Sequence, residues 1–569
     1  MTAIKYLLLF FLFLSFHSKV LSQSAFLSQQ TKHQNLFDRL EIKSGKFSDQ
    51  YFSNIKPYER ESLVKYTASL LDSTAQTDSG YQPIMLSKAD QYNLRSFYMN
   101  NQEWLNGERA SYNSKQPILK KLYRTPAHFF EHYGQDYFIT INPLIQVRQS
   151  MEKTGDTSFS NFINQRGLAV RGGIGKKIGF SFMAMDVQER GPSFFGEWVD
   201  SLKSVPGANF YKSFKRSAVD YIDARGYFTF QAQKYIRIQA GYDRQFIGNG
   251  YRSLLLSDFS GNQLFVKVNT RFWKLNYQNL FMELHAGAAD NSTNNLVPRK
   301  YAAMHHLSMN LTKWLNIGLF EGVIFGRRDR FEFGYLNPVI FLRSIEGNLG
   351  SQDNAVIGAD FKVNVLKRGL FYGQFILDEF NLAKMREQSG WWGNKTGLQL
   401  GFKYIDVASI KNLDFQAEWN RVRPFTYSHY DSVSNYSHYN QPLAHPLGAN
   451  FNEYILVLKY QPLNRLTLSG RLIYWRQGID SVSGYYSGSN IFKLNGDGRT
   501  AEFGYTMLNG VSRSVLNAAF HATYEIKENI YLDLHALYRK EEMAASANIN
   551  SLIIGAGLRM NLWFRDYDY

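Results

Sequence analysis

The feature that most constrains this chain is an alternation of apolar and polar side chains with a period of two residues. Segments 264–271, 413–420, 466–474 and 530–539 show it clearly, and it recurs from Gly134 towards the C-terminus. Successive side chains of a β-strand point to opposite faces, so this period predicts strands with one apolar and one polar face. Each segment spans about ten residues, the length that a tilted strand needs to cross a bilayer. The alternation therefore predicts an all-β fold built from membrane-length strands.

The connections between these segments are of two kinds. Very short turns are expected at 175–177, 233–234, 272–274, 312–314, 367–369, 408–411, 462–464 and 527–529. Long polar stretches lie near 189–217, 247–261, 286–302, 326–353, 381–396, 425–450 and 478–511. Short turns at one end and long loops at the other are typical of bacterial outer-membrane proteins. We therefore predict a large antiparallel transmembrane outer-membrane β-barrel of about 18 strands over residues 134–569.

A membrane barrel must pair its first strand with its last, because lipid offers no partner to an open edge. We place the first strand at 137–148. The last strand is predicted from an alternation that runs from Ile554 to Phe564, and its aromatic end resembles the C-terminal assembly signal of outer-membrane barrels. In this topology the segments 189–217, 425–450 and 478–511 are extracellular and the turn 527–529 is periplasmic.

The composition excludes several classes of protein. The chain has 569 residues and no Cys, which excludes disulfide scaffolds, Cys-based zinc sites, iron–sulfur clusters and cysteine nucleophiles. No apolar run of about 18 residues occurs beyond the N-terminus, so a helical membrane protein is excluded as well. Aromatic residues make up 16% of the chain, which argues against disorder, and in a barrel they form girdles at the two membrane interfaces.

The N-terminus indicates export. Lys5 precedes a short apolar run from Tyr6 to Phe16, and small residues follow, so residues 1–22 are predicted to be a cleaved signal peptide. Removing Lys5 and Lys19 lowers the formal charge from +16 to +14. That excess suits acidic partners outside the cytoplasm, such as anionic exopolysaccharide or lipopolysaccharide, and nucleic acid is not expected as a partner.

Residues 23–133 differ from the rest of the chain. Glu59–Leu71 has helical spacing, and Ser87 to Asp90 resembles a capping box ahead of a helix that runs to about Trp104. We predict a small, mostly helical periplasmic segment. It could be a plug, a gasket on the barrel, or a docking surface for a periplasmic or motility-machinery protein, and the residues do not choose between these.

One long loop carries signals for a short helix. Asn337 suits the N-cap, Pro338 the first helical position and Gly347 the C-terminal cap, so a helix is expected to fold into the lumen or across its mouth. Arg343 and Glu346 would share one face of that helix. They either brace the loop or contact a ligand, and the sequence favours neither role.

Two further groups are candidates for ligand contact. Asp378 and Glu379 end one strand and could bind a cation or a sugar hydroxyl. The loop 425–450 concentrates aromatic residues that can stack on sugar rings. The complete set of candidate ligand-binding residues is Asn337, Arg343, Glu346, Asp378, Glu379, Tyr427, Tyr430, Tyr436 and Tyr439.

No catalytic constellation can be read from the sequence. His128, Glu131 and His132 match the H-x-x-E-H pattern of inverted zinc peptidases, but that chemistry needs a helix, and this motif leads directly into the first predicted strand. We interpret the match as fortuitous. The chain is predicted to be non-enzymatic, without a metal or a cofactor.

Several longer strings resemble one known family. Residues 241–281 (GYDRQFIGNGYRSLLLSDFSG…) and 331–364 (FEFGYLNPVIFLRSIEGNLGS…), continuing into 371–380, resemble the Wzi-like capsule-assembly family as found in Bacteroidota. The stretch 438–454 (HYNQPLAHPLGANFNEY) resembles the RemB-type gliding-motility branch of that family. The resemblance implies an outer-membrane barrel with a helical periplasmic part and no established catalytic role. In the Wzi branch it implies holding capsular polysaccharide at the cell surface, and in the RemB-type branch it implies surface gliding.

Three functions from different classes therefore stand side by side. The first is a non-enzymatic surface protein that binds or organises exopolysaccharide in support of capsule attachment or gliding. The second is an outer-membrane porin or transport channel, since a barrel of this size can hold an aqueous lumen. The third, a barrel enzyme acting on lipid or glycan, has the least support because no catalytic residues can be identified.

Overall fold

The computed structural model describes most of the chain. The described residues are 25–27, 31–71, 84–105, 112–119, 121–175, 177–215, 217–287, 296–327, 330–339, 342–351, 353–431, 433–481, 484–496, 499–544 and 546–569. The predicted signal peptide, 1–22, lies outside them. Within these ranges, no helix is both long and apolar enough to cross a membrane.

Eighteen antiparallel strands close into one barrel, as the alternation predicts. They are β1 Tyr137–Thr154, β2 Thr157–Ile174, β3 Ile178–Arg190, β4 Ala218–Gln233, β5 Ile236–Asp243, β6 Gln263–Phe272, β7 Leu275–His285, β8 Arg299–Asn310, β9 Leu315–Phe325, β10 Asn354–Val365, β11 Gly369–Glu379, β12 Lys395–Tyr404, β13 Leu413–Val422, β14 Phe451–Leu463, β15 Leu466–Ile479, β16 Val511–Lys527, β17 Ile530–Met543 and β18 Ile549–Met560. The last strand pairs with the first, from Met560 opposite Ile145 to Ser551 opposite Thr154. The predicted all-β barrel fold and its closure are confirmed.

All eight short turns lie where the sequence predicts them, at what we call the short-turn end of the barrel. The opposite end, the long-loop end, carries nine connections. Seven of these are long, namely 191–217, 244–262, 286–298, 326–353, 380–394, 423–450 and 480–510, and the other two, 155–156 and 544–548, are short. The short strand Phe130–Tyr133 pairs with the beginning of β1, so the sheet starts slightly before residue 134.

The two faces of each strand follow the alternation in the sequence. On β18 the side chains of Leu552, Ile554 and Leu558 point outwards and are 40–57% exposed, as lipid-facing residues must be in an isolated chain. Inward-facing polar residues such as Glu453 and Asn517 are fully buried. Apolar side chains on the outer face can thus contact lipid, and polar side chains on the inner face can bond to polar groups in the lumen.

The last strand is shorter than predicted. It ends at Met560, and the alternation of Leu562 and Phe564 does not belong to a strand. Asn561 takes a backbone φ of +56°, which breaks the extended conformation and turns the chain back into the barrel. The prediction of a strand reaching Phe564 is therefore wrong.

In the described part of the chain, six α-helices accompany the barrel. They are α1 Lys32–Ser44, α2 Arg60–Leu71, α3 Lys88–Met99, α4 Ser193–Leu202, α5 Leu342–Leu349 and α6 Leu382–Arg386. The predicted capping box of α3 is present, because the Ser87 hydroxyl accepts from the Asp90 N–H and the Asp90 carboxylate accepts from the Ser87 N–H. Helices α1 to α3 share an apolar core in which the rings of Phe37 and Phe97 lie 4.7 Å apart.

These three helices, with the described chain around them (the helical segment, residues 31–71 and 84–105), are bonded to inward-facing side chains of the barrel near its short-turn end. Lys362 of β10 lies 2.8 Å from Glu41, and Lys403 of β12 lies 2.6 Å from Asp38. The Asn54 amide donates to Asp360 of β10 at 2.9 Å. Contacts to several strands hold the helical segment inside this end of the barrel.

Arg39 is the most connected of these residues. Its guanidinium pairs with Asp90 of α3 at 2.8 Å, with Asp406 at 2.9 Å and with Asp414 of β13. Burial alone would raise the pKa of Asp90, but the bonds from Arg39 and Lys43 outweigh burial and hold that pKa below its ordinary value. Arg39 thus neutralises carboxylates from both the helical segment and the barrel.

Replacing Arg39 with Met should loosen the helical segment, because three carboxylates would then face one another with too few cations. Removing one partner of a buried ion pair costs about 3–5 kcal/mol. Thermal unfolding of the helices, followed by circular dichroism in detergent, should therefore begin at lower temperature. The matched control is Lys65→Met, since Lys65 pairs with Glu61 but is 53% exposed, and such a pair contributes about 1 kcal/mol or less. Equal effects of the two substitutions would contradict the conclusion that Arg39 holds the helical segment to the barrel.

Candidate functional site in the lumen and at its long-loop mouth

The connection 244–262, which we call the inner loop, folds into the lumen. Leu254, Leu255 and Leu256 have no exposed surface. The loop is fixed by the wall: the Tyr251 and Arg252 N–H groups donate to the Glu418 carboxylate at 2.6 and 3.0 Å. The side chain of Gln374 accepts from the Leu254 N–H at 2.8 Å. A segment that the sequence presents as an ordinary long loop is therefore a lumenal constriction.

The connection 423–450, which we call the outer loop, packs on the inner loop. The Tyr427 hydroxyl donates to the Leu254 carbonyl at 2.7 Å, and the Tyr436 hydroxyl donates to the Leu255 carbonyl at 2.5 Å. Burial raises the pKa of both phenols well above its ordinary value, so both stay protonated and able to donate. These two tyrosines join the two loops into one packed layer.

The tyrosines of the outer loop thus differ in what they can touch. Tyr427 and Tyr436 are buried, and their hydroxyl groups are engaged within the chain. Tyr439 is half-buried and stacks on His285, with ring centroids 4.7 Å apart. Tyr430 is 54% exposed. Contact with a ligand stays a prediction for all four, and Tyr430 presents the largest free surface for it.

Asp378 and Glu379 also have partners within the chain. The Asp378 carboxylate accepts from the Tyr427 N–H at 2.6 Å and so positions the outer loop. Glu379 pairs with Lys395 at 3.1 Å, and its side chain is 49% exposed. Adjacent in sequence, they have different neighbours, as expected for neighbouring positions on a strand.

The predicted helix in the loop 326–353 is present but begins later. It spans α5, Leu342–Leu349, rather than 338–346. Asn337 closes a 3₁₀ turn, and its side chain accepts from the Val339 N–H at 3.1 Å, so it does not cap the helix. Gly350, with φ +61°, follows the helix where Gly347 was expected to end it.

The position of this helix also differs from the expectation, because it lies against the outer surface of the barrel. Leu342 and Tyr335 pack on Val323 and Phe325 of β9, whose side chains share a face with the lipid-facing Leu319. Moreover, the Tyr277 hydroxyl donates to the Pro338 carbonyl at 2.6 Å. The expectation of a helix inside the lumen or across its mouth is therefore wrong. Glu346 is buried in this arrangement, and the side chain of Arg343 lies outside the described part of the structure.

The chain after β18 is a third lumenal element, which we call the C-terminal tail (561–569). Asp566 forms a bidentate pair with Arg471 of β15, and Asp568 pairs with Arg252 of the inner loop at 3.1 Å. The final residue, Tyr569, packs on Trp198 of α4, with ring centroids 5.1 Å apart. The tail therefore links the barrel wall, the inner loop and α4.

A cavity of about 630 Å³ remains between the helical segment, the inner loop and the tail. Fourteen Lys and Arg residues and seven Asp and Glu residues line it. Most of these cations are paired within the chain, as Arg225 is with Asp223 at 2.7 Å. The cavity is thus a polar space with an excess of positive charge.

Aromatic and cationic side chains meet at the long-loop mouth in a group that the sequence did not reveal. We call it the tryptophan patch: Lys384, Trp391, Trp392, Arg499 and Phe503. The Arg499 guanidinium lies 3.9 Å from the ring centre of Trp392, and the Lys384 ammonium lies 5.1 Å from the ring centre of Phe503. Phe503 is 44% exposed. The patch unites two connections more than 100 residues apart, and the only local signal was the Trp391–Trp392 pair.

Positive charge is unevenly distributed between the ends of the barrel. The nine connections at the long-loop end carry a formal net charge of +1. The eight short turns, which together contain 26 residues, carry +7. The charge excess of the chain is therefore not concentrated in its long loops.

The H-x-x-E-H residues do not form a metal site in the described chain. Glu131 and His132 lie on the short strand Phe130–Tyr133, Glu131 accepts from the Thr125 hydroxyl at 3.0 Å, and His128 bonds to the Asn142 amide at 3.1 Å. Among the described residues, no group of three or more His, Asp or Glu side chains is arranged to hold a metal ion.

Acid should loosen the outer loop. Buried His438 accepts from the His285 N–H and donates to the Asn262 carbonyl, each at 3.1 Å, so protonation would set two donors against each other. Burial lowers the pKa of His438 to about 3 and that of His429 to about 4, below the ~6.5 of a released loop. The equilibrium constant that favours the packed loop over the released loop is therefore at its full value above pH ~6.5. It falls about tenfold per pH unit for each histidine between pH ~6.5 and the lowered pKa of that histidine.

Hydrogen exchange of residues 423–450, corrected for intrinsic pH dependence, measures this effect. Exchange should accelerate between pH 6.5 and 4.5 in the native chain and less in His438→Gln, whose amide can accept and donate without titrating. The exposed His132, at the other end of the barrel, provides the control variant His132→Gln. Unchanged protection of the loop at pH 4.5 would contradict the role of His438.

Comparisons with known proteins give one family and several structural relatives. Residues 131–533 match the family described as capsule assembly protein Wzi. Wzi of Escherichia coli, described as an outer-membrane protein involved in group 1 capsule assembly and a carbohydrate-binding β-barrel, is 13% identical. Its structure aligns over 95% of this chain and 100% of its own, with a TM-score of 0.56.

Structures of Pseudomonas aeruginosa OpdK with vanillate and of OccK5 are 10% and 11% identical, with TM-scores of 0.43 and 0.41. Each aligns over 74% of this chain and 98% of its own. No curated protein sequence matches the chain.

Proposed function

This outer-membrane chain belongs to the Wzi capsule-assembly family, and we propose that it binds or organises exopolysaccharide at the cell surface without catalysing a reaction. The observation that carries the proposal is the combination of family membership with a lumen occupied by the chain itself. A filled lumen leaves the exposed long-loop mouth as the surface on which a polymer can be held. The carbohydrate binding described for the E. coli relative is in line with this function.

For the orientation, we propose that residues 1–22 are cleaved, that the helical part within 23–133 faces the periplasm, and that the long-loop end faces outwards. Because the native chain has no Cys, single cysteines report sidedness without interference. Tyr430→Cys at the long-loop end should react with an impermeant reagent on intact cells, whereas Lys411→Cys at a short turn should react only after permeabilisation. The reverse pattern would contradict the orientation.

Within this function, the tryptophan patch and Tyr430 are the proposed contacts for the glycan. Aromatic rings stack on the apolar faces of sugars. Lys384 and Arg499 pair with Glu387 and Glu502 at 3.3 and 2.8 Å, and acidic groups of a glycan can compete with these exposed carboxylates. The net charge of +1 on the nine connections at the long-loop end makes local patches, rather than a general positive field, the basis for recognising an acidic polymer. The other predicted ligand residues stay candidates, although Tyr427, Tyr436 and Asp378 hold the loops together.

Removing the patch should weaken glycan binding. In Trp391→Ala/Lys384→Gln, we expect affinity for the cell's own acidic exopolysaccharide to fall about thirtyfold, since one stacking contact and one charge contact contribute roughly 1 kcal/mol each. Biolayer interferometry with the purified barrel at two salt concentrations measures the affinity and its screening. Phe333→Ala is the matched control, because Phe333 is 77% exposed on a different long loop. Unchanged affinity in the double variant would remove the patch from the proposal.

The alternative function, a porin or transport channel, predicts a different behaviour in planar bilayers. The inner loop, the outer loop and the tail all cross the path through the barrel, so we propose that the native protein does not conduct. Steady ion conductance of the full chain would contradict this and favour the channel.

The resemblance of 438–454 to the RemB-type branch supports a second candidate function, surface gliding, for the same surface protein. A deletion strain scored for both capsule retention and colony spreading separates the two. Loss of capsule alone supports attachment of polysaccharide, and loss of spreading alone supports a motility role.

A further inference from the structure

The short turns have a composition that the proposed function does not use. Seven of the eight contain a Lys or Arg, and Lys527 directly precedes the eighth. Exposed apolar residues occupy the same turns or border them: Tyr235 42%, Trp273 61%, Trp314 50%, Leu366 88%, Ile410 47% and Leu463 62%. Cations and apolar side chains thus alternate around one rim of the barrel.

The two carboxylates within the short turns are engaged by the helical segment. Asp406 pairs with Arg39, and Glu528 pairs with Lys32 at 3.2 Å. By contrast, neither Lys313 nor Lys367 forms an ion pair with any described residue. The rim therefore retains its positive charge.

Two cations of the short turns, Lys313 and Lys367, are crowded together with Lys46 of the helical segment. The Phe47 N–H donates to the Lys313 carbonyl at 2.7 Å, which brings Lys46 beside that turn, and the Asn364 N–H donates to the Trp314 carbonyl at 2.8 Å, which links it to the strand that leads to Lys367. Burial, followed by repulsion from Lys313 and Lys367, lowers the pKa of Lys46. Mutual repulsion among ammonium groups is relieved when an anion binds between them.

At one place on this rim, two neighbouring strands are not joined by a turn, and another segment of the chain covers that place. Eighteen strands leave one gap, between the end of β18 and the beginning of β1, and residues 112–119 and 121–124 lie there. The Tyr123 hydroxyl is 4.0 Å from the Met560 sulfur, and Met560 shares a face with the lipid-facing Leu558. This segment exposes Ile118 by 54% and Leu119 by 81%, flanked by exposed Lys115 and Lys121. The same pairing of apolar and basic residues therefore covers the gap.

We propose that this rim is a docking surface for the anionic headgroups of phospholipid in the leaflet that meets the short-turn end. The lysines meet the phosphates, while Trp273, Trp314 and Leu366 lie at the level of the headgroups, where aromatic and apolar side chains anchor membrane proteins. Basic residues at a membrane surface attract anionic lipid, and the attraction falls off within a Debye length. The inference concerns the opposite end of the barrel from the glycan surface and does not depend on glycan binding.

A single cysteine can report the lipid beside the rim. The full chain carrying Leu366→Cys is labelled with a fluorophore and reconstituted in mixed vesicles of phosphatidylcholine and phosphatidylglycerol. Bromine atoms, which quench fluorescence, are placed on one lipid or the other at equal bulk fraction. Quenching by brominated phosphatidylglycerol should exceed that by brominated phosphatidylcholine about twofold or more, and the excess should vanish in about 1 M salt, where the Debye length is ~3 Å.

Charge variants distinguish the rim from the rest of the surface. Lys313→Gln/Lys367→Gln should abolish the preference, and Lys313→Arg/Lys367→Arg should keep it. The control Lys153→Gln/Lys212→Gln removes two exposed lysines near the long-loop end and should keep it as well. Heat-modifiable migration verifies that each variant is folded. Equal quenching by the two lipids at low salt, or a preference that survives both high salt and the Gln pair, would overturn the proposal.

Discussion

The structure depends on one constraint, that a strand crossing lipid must find all its backbone partners within the protein. Closing β18 onto β1 meets this requirement and leaves no edge. Closure also creates an interior lined by polar side chains, which must be hydrated or bonded to other polar groups. This chain fills most of that interior with its own segments. Glu418 accepts from backbone N–H groups of the inner loop, Arg471 pairs with Asp566 of the tail, and Lys362 pairs with Glu41 of the helical segment.

Filling the lumen changes what the charged residues imply. A lumenal arginine in an open barrel faces water and passing solutes, whereas Arg252 and Arg471 here hold the tail carboxylates. Likewise, the net charge of the chain is not evidence for a polyanion at the long-loop end, because the short turns carry +7 and the nine connections at the long-loop end carry +1. Position within the barrel, rather than total charge, determines which partner each basic residue can meet.

The sequence predicted the features that depend on short stretches of chain. Strand alternation, all eight short turns and the capping box of Ser87 are local patterns, and each is confirmed. The errors occur where a local pattern competes with distant packing. The alternation runs on to Phe564, yet Asn561 turns the chain inwards because Arg471 and Arg252 bind the tail there. The burial of Tyr427 and Tyr436 depends on carbonyl groups of the inner loop more than 170 residues away, and no local signal indicates it.

The loop 326–353 shows why the length of a loop does not measure its reach from the membrane. His305 of β8 and Glu321 of β9 point to the lipid-facing side, yet they are 0% and 4% exposed, and their nearest polar atoms are 4.0 Å apart. A charged side chain facing lipid near the midplane costs roughly 2–4 kcal/mol, so such positions need cover. The loop lies across this part of the wall, with Leu342 and Tyr335 packed on β8 and β9 and with Phe333, Leu336 and Val339 exposed on its far side. It therefore serves as a second layer of the barrel wall, and its apolar outer face is what a lipid-facing surface requires.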